Sequence, residues 1–394
     1  MGALGLIARF PARYRQVARM DLRPKGWRAY ANWARSCFEY LTGASRIRAR
    51  PLKLVFDPTN VCQLACPLCP TGAGLLDRGS GHAQLELFRR LMDQVGDYVF
   101  ILDFYNWGEP LLNPRLEDFV RIAKSHNIAS TVSTNLSLRL SDERIERLLT
   151  CGLSEIGVAL DGASDETNRI YRRKSKFDLV VDNMRRLVQA RRRLGQDFPL
   201  ITWLFVVFSF NEHEIAKARE MAAEIGVDRL VLRPPFLDAG RYRLPDEDAK
   251  AIVQWAPGDP KYRTHVAQAP ASKRCGWHYT AAAINWDGSV TPCSTAFRKA
   301  DDFGTFGKSG ENAYFDVMNN PAFRAARDFM AGRPTQGGDL ICTRCPTPTI
   351  RNYHRIVYRQ AALFTVVALL EAARRLLFPG PARARMRGLR KDAG

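Results

Sequence analysis

Between residues 52 and 235 short apolar runs alternate with longer amphipathic stretches, and this alternation constrains the fold more than any other feature. The runs are "LKLVFD" (52–57), "VFILDFY" (99–105), "IASTVST" (128–134), "IGVAL" (156–160), "ITWLFVVF" (201–208) and "RLVLR" (229–233). Helical periodicity fills the gaps near 84–95, 115–126, 141–150, 178–194 and 212–225, with Gly152 and Gly226 where helices should stop. Strands separated by helices predict an α/β fold with a parallel sheet, open or curved into a partial barrel. Such folds gather their chemistry at the carboxyl ends of the strands.

The first such end carries "DPTNVCQLACPLCPTG" (57–72), in which Cys62, Cys66 and Cys69 are spaced C-x3-C-x2-C. Four thiolates close the coordination of a tetrahedral ion or a cubane cluster, whereas three leave a position open. Zinc sites usually pair close cysteines with a distant second pair, so the spacing departs from zinc practice. Nine cysteines is an odd number, and no secretory signal precedes them. The thiols are therefore expected to be reduced and the protein cytoplasmic.

On these residues the chain resembles the radical S-adenosylmethionine enzymes. In that family the three-cysteine loop after the first barrel strand holds a [4Fe–4S] cluster whose open iron chelates S-adenosylmethionine. The resemblance implies that the cluster reduces this cofactor to methionine and a 5′-deoxyadenosyl radical, with electrons from a donor such as flavodoxin or ferredoxin. Further motifs follow in order. "WGEP" after the second run resembles G-G-E-P, implicating Gly108, Glu109 and Pro110, with Trp107 in place of the first glycine. "STN" at the end of the third implicates Ser133 and Asn135. "ALDG" after the fourth resembles S-x-D-G and implicates Asp161, with Ala159 in place of the serine. "YRRKSKF" places Arg172 where the family pairs an arginine with the cofactor carboxylate, a geometry that suits a guanidinium fork.

A second cysteine group, Cys275, Cys293, Cys342 and Cys345, is preceded at its second member by "GSVTPC". It resembles the auxiliary-cluster (twitch or SPASM-like) domain of the same superfamily, and a zinc ribbon is the competing reading. Four cysteines would saturate one auxiliary [4Fe–4S] cluster, which then suits electron transfer and points to an oxidative outcome. Cys37 and Cys151 read as small buried hydrophobes, and His278 shows no ligand-like spacing in the sequence.

The expected architecture is a partial (β/α)6 barrel over 51–235, a linker over 236–274 and an auxiliary domain over 275–350. Basic helical extensions over 1–50 and 351–394 flank it. Charge divides the same way. The chain carries +19, of which residues 1–53 hold twelve Lys/Arg against two acids and residues 351–394 ten against two, leaving the middle nearly neutral. Trp27, Tyr30, Ala34, Cys37, Phe38 and Leu41 form one apolar helix face. "AALFTVVALL" (361–370) is uncharged but shorter than the roughly 20 residues that span a bilayer. These ends predict contact with an anionic membrane surface, plain packing being the alternative and nucleic acid ranking last.

For substrate, the ends favour a membrane lipid or lipid-linked molecule. A ribosomal peptide and a small sugar or aminocyclitol are the alternatives, and a non-enzymatic iron–sulfur or zinc protein that binds nucleic acid ranks behind all three.

Overall fold

The computed structural model describes residues 25–237, 254–263, 275–307, 313–335, 340–343 and Cys345. The 351–394 extension, most of the linker and residues 1–24 lie outside the described residues.

Six parallel strands form as the alternation predicts: β1 (Lys53–Phe56), β2 (Ile101–Asp103), β3 (Ala129–Thr134), β4 (Glu155–Ala159), β5 (Leu200–Val206) and β6 (Arg229–Arg233). They lie in simple sequence order, β6 at one edge and β1 at the other. β1, β2 and β4 are almost wholly buried, which is why their sequences run apolar rather than alternating. After α1 (Trp27–Thr42) come α2 (Leu85–Val95), α3 (Leu116–Ser125), α4 (Asp142–Thr150), α5 (Asp165–Tyr171), α6 (Phe177–Arg193) and α7 (Ile215–Ile225). The helices at 85–95, 116–125, 142–150 and 177–193 fall within a residue of their periodic signals, while α5 was not foreseen. Ser141 and Ser164 start α4 and α5 by accepting from Arg144 and Thr167 N–H groups.

The core lies between sheet and helices. Phe56 of β1 meets Phe88 of α2 at 4.8 Å and Phe119 of α3 at 5.6 Å, with Phe104 closing the cluster. Trp203 is fully buried and donates its indole N–H to Leu160 O at 2.7 Å, so this large ring adds area without an orphaned donor.

The second region joins the first instead of standing apart. After the short α8 (Trp277–Thr280), β7 (Ala281–Ile284) pairs parallel with β1, Lys53 opposite Ala281 and Phe56 opposite Ile284. β8 (Ser289–Thr291) and β9 (Gly304–Thr305) then continue antiparallel, giving one open nine-stranded sheet. Gly288, at φ +84°, makes the turn between β7 and β8, a conformation that disfavours any side chain. Helices α9 (Ala313–Met318) and α10 (Pro321–Met330) cover this end. From α10 the buried Arg327 donates to His278 O, Ser45 O and Met318 O, tying the region to the segment after α1.

Candidate active site at the carboxyl edge of the sheet

The three-cysteine loop leaves the end of β1 and is closed at its base by side chains of the same segment. Asn60 donates to Gly79 O and accepts from Gly81 N, both at 2.9 Å, and Thr59 Oγ1 donates to Gly81 O at 2.7 Å. Within the loop Cys69 N donates to Cys66 O and Ala73 N to Cys69 O. The turn Trp107–Pro110 lies directly against it. Glu109 N donates to Val61 O at 2.8 Å, and any Cβ at Gly108 would overlap Thr59 O, so only glycine fits there. Thr71 Oγ1 donates to Trp107 O.

Glu109 is buried with both oxygens occupied. Oε1 accepts from Leu111 N at 3.0 Å and from Thr134 Oγ1 at 2.6 Å, and Oε2 accepts from Asn135 N at 2.7 Å. Burial pushes this carboxyl up, and those three donors together with Arg172 oppose the shift. Asn135 in turn receives Gln63 Nε2 at 2.9 Å and turns its Nδ2 toward Cys62 Sγ at 3.7 Å. Leu136, just beyond, holds φ +52°, an unfavourable value for a γ-branched residue, and is kept there by Thr134 Oγ1 and Asn183 Nδ2. Ser133 is half-buried on β3, opposite Gly157. Pro110 begins the short 3₁₀ turn that Glu109 caps.

On the other side Arg172 Nε donates to Asp161 Oδ2 at 2.6 Å, and its Nη1 lies 4.0 Å from Cys66 Sγ. Asp161 is fully buried and also accepts from Val206 N at 2.7 Å. Burial raises the Asp161 carboxyl and Arg172 pulls it back, while the guanidinium stays charged.

The structure thus gathers Cys62, Cys66, Glu109, Asn135, Asp161 and Arg172 around one loop, with Cys69, Gly108 and Pro110 in the adjoining backbone. Sequence reading missed Gln63, and it placed Thr134 in the "STN" run without its partner Glu109, since both contacts are set only by tertiary structure. It missed also an apolar wall on the same rim. Leu68, Phe208 and Phe297 pack there with Trp107, Tyr171, Phe210 and Trp255. Phe208 stacks on Phe210 at 5.0 Å, Trp255 meets Phe210 at 5.6 Å, and Tyr171 meets Phe208 at 4.9 Å.

Thiol chemistry fits an iron–sulfur cluster. Burial pushes Cys62 up to about 12 and Cys66 to about 11, and each is raised further by its neighbouring cysteines, which places the three within electrostatic reach of one another. Such thiols lose their protons when a cationic centre binds the sulfurs and compensates the buried charge. Among the described residues no three ligand-type side chains converge on the spacing of a single ion.

The second cysteine group is similarly assembled. Cys275 and Cys293 pack beside Val55, Trp277, Ala281 and Ala283, under the β1–β7 pair. Cys342 is buried and feels Cys293, Cys275 and Cys345, while burial raises Cys275 to about 12. Contrary to its sequence reading, His278 does meet a cysteine of this group: its Nε2 lies 3.5 Å from Cys342 Sγ. Cys151 is buried at the end of α4, as expected, and Cys37 is half-buried on α1.

Comparison with known proteins agrees with this geometry. Residues 56–222 match the model of the radical SAM superfamily, and residues 275–346 match the SPASM iron–sulfur cluster-binding domain. The chain is 24% identical over 258 residues to a Pyrococcus furiosus tungsten-containing aldehyde ferredoxin oxidoreductase cofactor-modifying protein, covering 61% of this chain and 70% of that protein. It is 25% identical over 269 residues to the PqqA peptide cyclase of Ruegeria pomeroyi, covering 62% and 68%. With the mycofactocin maturase MftC of Mycobacterium tuberculosis it shares 29% identity over 140 residues, only 36% of this chain and 35% of that one. Among solved structures, Streptococcus suis SuiB bound to the precursor peptide SuiA superposes with a TM-score of 0.52 at 17% identity, covering 76% and 71%, a likeness of fold.

The chain is a radical S-adenosylmethionine iron–sulfur enzyme. More narrowly, it belongs to the members of that superfamily that carry a C-terminal SPASM domain, and its cofactors are S-adenosylmethionine, the cluster that binds it and auxiliary iron–sulfur.

Proposed function

We propose that this enzyme modifies a peptide, at a C–H bond presented beside the three-cysteine loop. The observation that carries the reading is the buried polar frame around Cys62 and Cys66, set beside an aromatic wall. The first element suits S-adenosylmethionine and the second suits an apolar side chain held in reach of it. Support for a peptide comes from sequence relatives, of which the PqqA peptide cyclase is named for one. A lipid substrate, the first expectation, gains no comparable support.

In this reading Cys62, Cys66 and Cys69 would hold the cluster that binds the cofactor. Bound there, cluster and cofactor supply one-electron cleavage of a carbon–sulfur bond and a carbon radical that takes a hydrogen atom. The protein's own contribution is placement. Glu109, locked by Leu111, Thr134 and Asn135, holds the Gly108–Pro110 turn against the loop and puts negative charge where the cofactor's ammonium needs it. Asn135 and Gln63 fix the approach to Cys62, and Ser133 lies on the same strand end. Arg172, oriented by Asp161, offers its outer nitrogens to the cofactor carboxylate. Trp107, Phe208, Phe210 and Trp255 exclude water from the face where the substrate side chain lies.

We take residues 51–235 as the unit for this chemistry and 275–350 as the auxiliary unit. Cys275, Cys293, Cys342 and Cys345 would hold an auxiliary cluster there, whose chemistry would be electron transfer with a donor of the flavodoxin or ferredoxin class. The test is 5′-deoxyadenosine release by the anaerobically reconstituted full chain, challenged with a host extract before and after protease digestion. Stimulation abolished by the protease supports a peptide. Stimulation that survives digestion but is extracted into organic solvent, or stays with small polar molecules, replaces it.

A further inference from the structure

Helix α1 docks with its polar side inward. Ala29, Asn32, Ser36 and Glu39 are its buried residues. Asn32 bonds Arg50 in both directions, Nδ2 to the carbonyl at 3.0 Å and Oδ1 from the N–H at 2.8 Å. Ser36 Oγ donates to Tyr279 O at 2.8 Å, and Glu39 accepts from Arg48 N at 2.7 Å and Ala49 N at 3.2 Å. The surface beneath offers backbone polar groups to these side chains and the apolar Leu52, Phe100 and Ile101 to Ala29, Tyr30 and Trp33.

Of the apolar face expected from the sequence, Tyr30 turns in and meets Phe100, and Trp33 and Tyr40 also rest half-buried against the body, whereas Trp27, Phe38 and Leu41 turn out. Trp27 is 73% exposed, Phe38 67% and Leu41 66%, and the exposed Ala31 and Ala34 continue the same strip between them. Arg28 and Arg35 border the strip, and Arg46 and Arg48 stand exposed just after the helix. Glu39 is the only acid between residues 25 and 50, and it is buried. The face thus combines an apolar strip with a basic margin, and residues 25–50 add no exposed acid to it.

We propose that the outer face of α1 docks on an anionic phospholipid bilayer, with the helix in the interfacial plane. A bilayer offers what this face requires: hydrocarbon for Trp27 and Phe38 beneath a layer of phosphate for the arginines. Arginine stems lie along apolar surface while their heads reach the phosphates, which suits Arg28 and Arg35 on the flank of the strip. The bilayer is here a location and not a substrate, so the proposal stands apart from the peptide reading.

The experiment is sedimentation of the full chain with vesicles of phosphatidylcholine alone and of phosphatidylcholine with phosphatidylglycerol. The expected result is binding to the anionic vesicles, weakened about tenfold or more in Trp27→Ser/Phe38→Ser and by added salt. Both positions are exposed, so the thermal midpoint and cofactor cleavage of the double variant should match wild type. Arg28→Glu/Arg35→Glu should lose the preference for anionic lipid. Equal binding by wild type and Trp27→Ser/Phe38→Ser overturns the proposal, whether the basic ends alone hold the vesicle or another part of this chain lies on the face. Equal binding to both vesicle types overturns it as well. So does a wild-type dimer, seen by sedimentation velocity, that the double variant breaks, since a second copy would then own the surface.

Discussion

Arg78, nine residues beyond the third cysteine of the loop, grips Asp302 of the SPASM region with two bonds, Nη2 to Oδ1 at 2.7 Å and Nη1 to Oδ2 at 3.1 Å. The same guanidinium donates to Ser289 Oγ at 2.7 Å, and Asp77 beside it accepts from Lys299 N at 2.6 Å. Trp107 of the Gly-Glu-Pro turn meets Phe297 edge-on at 5.8 Å. The segments that carry the two cysteine groups are therefore bolted together by a buried ion pair, beside the β1–β7 pairing.

Breaking one side of that pair should cost more than removing both. Arg78→Met strands a carboxylate that is largely buried, and the expected loss is about 3 kcal/mol. Arg78→Met/Asp302→Leu should recover part of it. Denaturant unfolding of the four forms gives the coupling, and additive losses would show that the pair is not the link.

Asp57, at the end of β1, is buried near the Trp107 and Gly108 N–H groups, and burial raises its carboxyl to about 8. A carboxyl whose folded value lies above its unfolded one stabilises the fold at low pH and loses that contribution as pH rises toward the folded value. Wild type should therefore weaken relative to Asp57→Asn by about 2 kcal/mol between pH 6 and pH 8. Thermal midpoints of both proteins at the two pH values measure it, and parallel shifts would assign the pH response elsewhere.

Arg172→Lys should behave as a loss, not a conservative change. A lysine keeps the charge but cannot bond Asp161 and a second carboxylate in one plane. The affinity of the reconstituted enzyme for S-adenosylmethionine should fall about tenfold, read by equilibrium dialysis. Unchanged affinity would move the cofactor carboxylate away from this residue.

The two cysteine groups should separate by their defects. Cys66→Ala is expected to abolish cofactor cleavage. Cys342→Ala should leave uncoupled 5′-deoxyadenosine release while stopping product formation, since the auxiliary site takes part only in the electron balance. Full turnover in Cys342→Ala would reduce that site to a structural one.

Removing the inward acid of α1 should loosen the helix without touching the catalytic rim. Glu39→Ala leaves the Arg48 and Ala49 N–H groups unsatisfied, at an expected cost of about 2 kcal/mol. Hydrogen exchange should quicken across Trp27–Thr42 and in the segment that follows, and protection unchanged there would place the anchor elsewhere.

Strands β1 to β6, the four helices within a residue of their signals and the cysteine loop were legible because each is written in local pattern. Strand ends carry motifs in order: Glu109 follows β2, Asn135 and Asp161 follow β3 and β4, and Arg172 closes α5, all lying near the thiols. Gln63 was not legible, nor was the bond from Thr134 to Glu109, because an amide and a hydroxyl within a loop or strand end announce no partner. His278 shows the same limit, being 64 positions from the cysteine it meets.

By itself the sequence determined a parallel α/β sheet, the six runs that form its first strands and a three-thiol loop at the functional edge, since periodicity and turn chemistry act over a few residues. Tertiary structure alone decided how distant pieces meet. β7 prolongs the sheet because the free edge of β1 needs partners for its backbone groups, a need that residue spacing cannot express. Arg78 finds Asp302 across 224 positions of chain because their charges are buried together. Helix α1 turns Asn32, Ser36 and Glu39 inward because the surface it rests on offers carbonyls and N–H groups that need partners, and Trp27, Phe38 and Leu41 are left outside.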